Sequence, residues 1–348
     1  MSRYPPWDNS LRRPLATWTS LLMLGLACTS ADQPVRVFVG LCDASAAVWL
    51  DARTFAVADD EDNVIRVYQR DGGSAPLYSL DLSAFLQVDA KEPEADIEGA
   101  ARSGELVFWI TSHGRNASGK DRLSRRRFFA TRLVGQGGAG RLGPAGRPYA
   151  RLLQDLAEDA RLQRFNLTAA ARLPPKEPGA LNIEGLAVTP HGQLLIGFRN
   201  PIPQGQALLV PLLNPSAVIE GAPAQLGDPV LLNLGGRGIR SITAWEGRYL
   251  IAAGSYSGEG ASALYFWLGP GYEPQPLAQP ICGTINPEAL AISPGAGHGE
   301  LLVVSDDGNV LVGDRPCKKL KDVTQKQFRA AILPAGVLSL HLPNPAAK

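Results

Sequence analysis

The 348-residue chain is short of charge. Asp, Glu, Lys and Arg make up 19% of it, below the roughly 25% of an average globular protein. It holds 8 Lys against 26 Arg, only 2 Met and 4 Cys, and 7% aromatic residues. A formal charge of +1 leaves no basic excess to hold nucleic acid. With 45% hydrophobic residues the low charge excludes charge-driven disorder, and 37 Gly and 28 Pro exclude a coiled coil or a mainly helical protein. No apolar run reaches the roughly 20 residues that a membrane-spanning helix needs. Chemical signatures are missing too. There is no Cys-x-x-Cys, which argues against a zinc ribbon or a thioredoxin-like centre. There is no Gly-x-Ser-x-Gly and no His-Glu-x-x-His, which argues against an α/β-type serine hydrolase and a zincin. Residues 135–140 match the dinucleotide fingerprint by spacing alone. Arg141-Leu142-Gly143-Pro144 cannot continue as the helix whose N-terminus would hold a pyrophosphate, so that reading fails.

What is present begins with an address. Arg3, Arg12 and Arg13 precede an apolar core at Leu21-Leu22-Met23-Leu24-Gly25-Leu26-Ala27, followed by small residues up to Ala31. A positive start, a short apolar segment and small residues at the cut make residues 1–31 a secretory signal. Leu24-Gly25-Leu26-Ala27-Cys28 also resembles a bacterial lipoprotein box, with the large aliphatic residue one place early. The expectation is therefore an exported protein, either free in the periplasm or held at the outer membrane through a lipid on Cys28. Residues 32–348 form one folding unit in this reading, with 31 basic and 32 acidic residues. Of the three remaining cysteines, Cys282 and Cys317 are the expected pair in an oxidising compartment, because both lie in the last third; three buried thiols are the alternative.

A repeat organises this remainder. One phrase recurs as Asp96-Ile97-Glu98-Gly99-Ala100, Asn182-Ile183-Glu184-Gly185-Leu186, Gly238-Ile239-Arg240-Ser241-Ile242 and Asn286-Pro287-Glu288-Ala289-Leu290, with Asp43-Ala44-Ser45-Ala46-Ala47 opening the series. Each copy is small and apolar, as a strand crowded around an axis must be. A second strand-like run with a polar end follows each, and then a third. A period of mostly about 50 residues with about four strands per unit is the signature of a β-propeller. The fold class is therefore all-β, a propeller of five or six four-stranded blades, with a sandwich as the alternative. Residues 151–162 read as a short amphipathic helix in the one long gap, which holds either a sixth blade or an insertion. The third strand of the last blade is expected at 309–312, and Val35–Val39 should join that blade and close the ring.

The strings Asp43-Ala44-Ser45-Ala46-Ala47, Asp60-Glu61-Asp62-Asn63, Asp96-Ile97-Glu98-Gly99-Ala100, Ser112-His113-Gly114-Arg115, Ile183-Glu184-Gly185-Leu186, Gly197-Phe198-Arg199-Asn200-Pro201, Gly236-Arg237-Gly238-Ile239-Arg240-Ser241 and Ser305-Asp306-Asp307-Gly308 fall in order. Over roughly residues 35 to 333 they resemble an uncharacterised bacterial family known only as a domain of unknown function. More weakly, the chain is similar to phytase-like esterase propellers, which share the Glu-Gly-Leu/Ala phrase. The resemblance to the uncharacterised family implies no activity.

The site must then come from chemistry. In a propeller the innermost strand starts on the face where the second strand ends. Glu98, Glu184, Arg240 and Glu288 should crowd one mouth of the central channel, ringed by loops that carry Asp59, Asp60, His113, Arg115, Arg199, Asn200 and Asp306. Clustered charges are costly unless paired or ligated. Either Glu98, Glu184, Glu288, Asp59, Asp60 and Asp306 hold a hard cation, Ca²⁺ by preference, or a Glu–Arg lattice merely ties the blades together. Two functions follow. One is an exported hydrolase of a phosphorylated or otherwise anionic small molecule, with Arg115, Arg199, Asn200, Arg237 and Arg240 binding the anion and His113 moving protons. The other is a non-catalytic propeller that binds a ligand or an envelope protein.

Overall fold

Five four-stranded antiparallel sheets form a ring in the computed structural model, which describes residues 35–135, 140–277, 285–293 and 299–336. Blade 1 runs outward through Ala44–Trp49, Thr54–Asp59, Val64–Gln69 and Tyr78–Asp81. Blade 2 uses Ile97–Ser103, Leu106–Thr111, Phe128–Val134 and Arg141–Tyr149, and blade 3 uses Asn182–Val188, Leu194–Asn200, Ala207–Leu212 and Val230–Leu232. Blade 4 comprises Gly238–Trp245, Arg248–Gly254, Ala263–Trp267 and Gln275–Pro276. Blade 5 is built from Pro287–Ile292, Glu300–Ser305 and Gln327–Pro334, with Val35–Val39 as its outer strand. Val35–Val39 thus closes the ring, as expected, and the propeller has five blades.

Apolar layers between neighbouring blades hold the ring together. One layer joins blades 1 and 2 around Trp109 and Phe129, and another joins blades 5 and 1 around Phe38, Phe55, Tyr68 and Phe328. Blades 3 and 4 meet at Ile239, Tyr249 and Trp267, and blades 4 and 5 at Phe266, Leu290 and Val303. The long gap in the repeat is a helical insertion. Its helices Leu152–Glu158 and Leu167–Ala170 bury Leu152, Leu156, Leu167 and Ala170 in the layer shared by blades 2 and 3. No helix among the described residues is long and apolar enough to cross a membrane.

Crowding at the axis explains the glycines of the repeat phrase. A Cβ on Gly185 would stand 2.7 Å from Cγ2 of Ile239, and one on Gly99 would stand 3.0 Å from the carbonyl of Glu184. Only hydrogen fits at such a blade-to-blade approach.

Two expectations are corrected. Residues 309–312 are not the third strand of blade 5. Val310 and Leu311 lie exposed, and Leu311–Val312 pairs with Arg315–Pro316 in a small hairpin; Gln327–Pro334 supplies the third strand. The disulfide joins Cys42 to Cys317, 275 residues apart, and not Cys282 to Cys317. Ring closure makes the first and last blades neighbours, so distance along the chain misleads. Cys282 lies outside the described residues, as do residues 1–31 and Cys28.

Candidate functional site

The innermost strand of every blade carries a β-bulge at the same place. Register is lost between Ala44 and Ala46, Ile97 and Gly99, Ile183 and Gly185, Ile239 and Ser241, and Pro287 and Ala289. The extra residue is Ser45, Glu98, Glu184, Arg240 and Glu288 in turn. A bulge leaves one residue out of the ladder and re-aims its side chain. Here all five line one cavity of about 570 Å³ at the mouth where the innermost strands begin. Blade 3 bulges on its second strand as well, because Asn182 pairs with Asn200 but Ile183 with Phe198; this places Arg199 beside Glu184.

Nine carboxylates and five cationic side chains line the cavity, a formal excess of four negative charges. They are unevenly shared. On blades 3 to 5 the carboxylates are paired. Arg199 Nη1 donates to Glu184 Oε1 at 2.6 Å, and Asn182 Nδ2 donates to the same oxygen at 2.8 Å. Arg240 forms an ion pair with Glu288, stands 3.9 Å from Asp306, and donates to Ser262 Oγ at 3.1 Å. Burial works against the charge of Arg199, but Glu184 more than offsets it and holds the guanidinium above its ordinary range. Burial, and then Arg199, push Arg240 down.

Blades 1 and 2 present the opposite situation. Asp43, Asp59 and Asp60 bring one carboxylate oxygen each within 4.8 Å of one another, and so do Asp60, Asp96 and Glu98. Arg125 reaches Asp96 at 2.7 Å and also pairs with Glu94. Asp59 accepts from the backbone N–H of Glu61 at 2.8 Å and from that of Cys42 at 3.3 Å. Asp43 Oδ2 and Asp60 Oδ1 are buried without a partner. Glu98, 9% exposed, is joined to no donor among the described residues. The electrostatic consequence is uniform. Burial, with Asp59 and Asp306, pushes Asp43 up to about 7, and burial with Asp62 pushes Asp59 up to about 6. Asp60 is driven well above the carboxylate range by burial and by Asp59, Asp96 and Asp43. Glu98 is driven up likewise by burial, Glu184 and Asp96.

Other residues singled out from sequence lie elsewhere. His113 does not line the cavity. It is fully buried, its Nδ1 sits 2.8 Å from the carbonyl of Thr111, and burial pulls its pKa down to about 4. Its backbone N–H donates to the carbonyl of Arg125, so the residue braces the loop that carries Arg125. Arg115 donates to the carbonyls of Ala171 and Gly119 and faces a separate depression beside the insertion. Asn200 donates to the carbonyls of Pro175 and Glu177 behind the mouth. Arg237, half-buried, precedes the inner strand of blade 4 outside the cavity lining. Conversely, Asp43 and Asp96 belong to the acidic set and Arg125 is the cation that meets it, although none of the three was expected among the residues of the mouth. Their signal was positional for two of them: Asp43 and Asp96 each stand two residues before the bulge, where Asn182 and Asn286 stand in blades 3 and 5.

A model of a protein family described as a protein of unknown function (DUF3616) matches residues 43–133 and 139–308. No curated protein matches the chain. Among solved structures, a putative oxidoreductase (glucose dehydrogenase) from Thermus thermophilus is similar, at 16% identity and a TM-score of 0.42, covering 86% of this chain and 100% of that one. A PQQ-bound aldose sugar dehydrogenase from Streptomyces coelicolor shares 14% identity with a TM-score of 0.39, covering 86% and 99%. A GH43_1 enzyme from Xanthomonas citri, solved with xylose, shares 12% identity with a TM-score of 0.45, covering 87% and 90%.

Proposed function

The chain belongs to the DUF3616 family of proteins of unknown function, and because that membership brings no activity with it we propose a function from the mouth alone. The protein is an exported propeller that binds a divalent cation, calcium, on the acidic side of the mouth. An anionic small molecule then bridges that cation and the guanidinium groups of Arg199 and Arg240. One observation carries this reading: half-buried Asp43 and Asp60 each hold a buried oxygen without a partner, and buried Glu98, clustered with Asp60, meets no donor among the described residues. Buried carboxylates in that state are costly unless they ligate a cation. An all-oxygen donor set suits a hard ion, and calcium accepts six to eight oxygens in flexible geometry. A salt-bridge lattice accounts for Glu184–Arg199 and Glu288–Arg240, but not for the unpaired set.

Export is part of the reading. It rests on the signal-like residues 1–31, with Cys28 as the lipid acceptor in the anchored form, and on the Cys42–Cys317 bond, which persists in oxidising compartments. Proton transfer by His113 finds no support, since the ring is buried away from the cavity.

The test is thermal unfolding in a chelator and in calcium chloride. A ligand at 100 times its Kd stabilises the native state by about 2.7 kcal/mol, which corresponds to about 5 °C in Tm. Coincident melting curves across millimolar calcium would overturn the cation site and leave only the lattice.

A further inference from the structure

The acidic side of the mouth holds not one group of carboxylates but two, and they share a member. We infer that it binds two divalent cations bridged by Asp60, one held by Asp43, Asp59 and Asp60 and the other by Asp60, Asp96 and Glu98. This rests on the cation reading above and goes further, to the number of ions and the role of each carboxylate.

The argument is geometric. Oxygens around one calcium lie 2.3–2.6 Å from it, so those on opposite sides stand about 5 Å apart. Within each of the two sets the oxygens lie within 4.8 Å of one another, which is the spacing of a single coordination shell. The five residues do not fall into one group at that spacing. They fall into two that meet at Asp60, a grouping that suits two ions sharing one carboxylate better than one ion gathering all five.

Charge gives the same count. The two sets carry five negative charges, and Arg125 meets one of them at Asp96. The remaining four equal the charge of two divalent ions. Glu98 supplies the observation independent of clustering. It is 9% exposed, sits at the bulge position that aims it into the cavity, and has no donor among the described residues. Asp60 carries a buried oxygen in the same condition.

The pair of ions also defines the ligand class. Two adjacent cations facing Arg199 and Arg240 across one cavity suit a group with several anionic oxygens, a phosphate ester before a simple carboxylate, because one oxygen can bridge the ions while others meet the guanidinium groups.

Calcium titration followed by native mass spectrometry and calorimetry tests this, on the full chain after chelator treatment. Wild type should bind two calcium ions. Asp43→Asn and Glu98→Gln should each keep one, and Asp60→Asn should weaken both at least tenfold. Circular dichroism on each variant confirms that it is folded, and the wild-type stoichiometry stands without any variant. A single ion in wild type, lost alike in Asp43→Asn and Glu98→Gln, would overturn the bridged pair while the cation reading survived. No calcium at all would overturn both. For the ligand class, inorganic phosphate should bind the calcium-loaded protein and not the chelated one; equal binding in both states would remove the bridging role.

Discussion

The two halves of the mouth use one backbone device to opposite ends. In blades 3 to 5 the bulge delivers Glu184, Arg240 and Glu288, and each meets a partner of opposite charge. In blades 1 and 2 the same position delivers Ser45 and Glu98, surrounded by Asp43, Asp60 and Asp96 with Arg125 as the cation that reaches them. A repeated bulge decides where a side chain points. Its neighbours on the next strand and blade decide whether it stands as half of an ion pair or in an unpaired acidic cluster. The carboxylates of one half are matched by guanidinium groups, while those of the other outnumber the cation that reaches them.

The largest expected effect comes from the disulfide, which ties the two halves together. Cys42 precedes Asp43 and donates its N–H to Asp59, while Cys317 lies in blade 5 beside Gln327 and precedes Lys318 of the cavity lining, so the bond anchors the acidic half to blade 5. Closing a loop of 275 residues is worth on the order of 5 kcal/mol in the chain-entropy account. Cys42→Ser with Cys317→Ser should lower unfolding stability in urea by about that much, and weaken calcium binding besides. Unchanged stability would show that the bond does not hold this half in place.

Next is a direct contrast between carboxylates. Arg199→Ala leaves Glu184 buried and uncompensated, which should cost about 3 kcal/mol. Glu98→Gln, measured in chelator, removes repulsion from an unpaired cluster and should leave Tm unchanged or raise it. Equal losses in the two variants would erase the distinction between the halves.

The smallest effect concerns protons. Folding raises Asp43 to about 7 and Asp59 to about 6 from an ordinary 3.8. The native state therefore keeps protons that the unfolded chain releases, so their contribution is full below about pH 3.8 and is lost as pH rises towards 7. His113, lowered to about 4 from 6.5, adds an opposite slope between those two values. In chelator, Tm should fall by about 3 °C between pH 6 and 8, where the histidine has little left to add. Asp43→Asn should shrink that fall. A rise over the same range would contradict the assigned protonation.

Much of this architecture could be read from the chain. The five phrases from Asp43 to Leu290 are local, and crowding at an axis restricts each to small apolar residues, so the inner strands and the ring closure by Val35–Val39 were legible. So was the arrival of Glu98, Glu184, Arg240 and Glu288 at one mouth. Their partners were not. Glu184 finds Arg199 because the second strand of blade 3 has its own bulge, a detail of register that no residue type announces. Asp43 and Asp96 looked like strand openings, and Cys42 met Cys317 only because a closed ring makes its ends adjacent. His113 lies among loop-forming polar residues in sequence, yet the loop folds over it and buries the ring.

Strand direction in blade 5 has a practical consequence. Val35 pairs with Ala331 and Val39 with Gln327, so the outer strand runs towards the mouth, and Pro334 lies beside Glu300 at the far end of the blade. The chain therefore enters and leaves the ring at the end of the channel lined by Trp49, Leu186, Ala244 and Leu290, away from the carboxylates. A label or surface attached beside Val35 or Pro334 therefore sits at the back of the ring. A copy immobilised at those strand ends would turn its acidic face outwards, open to whatever diffuses past.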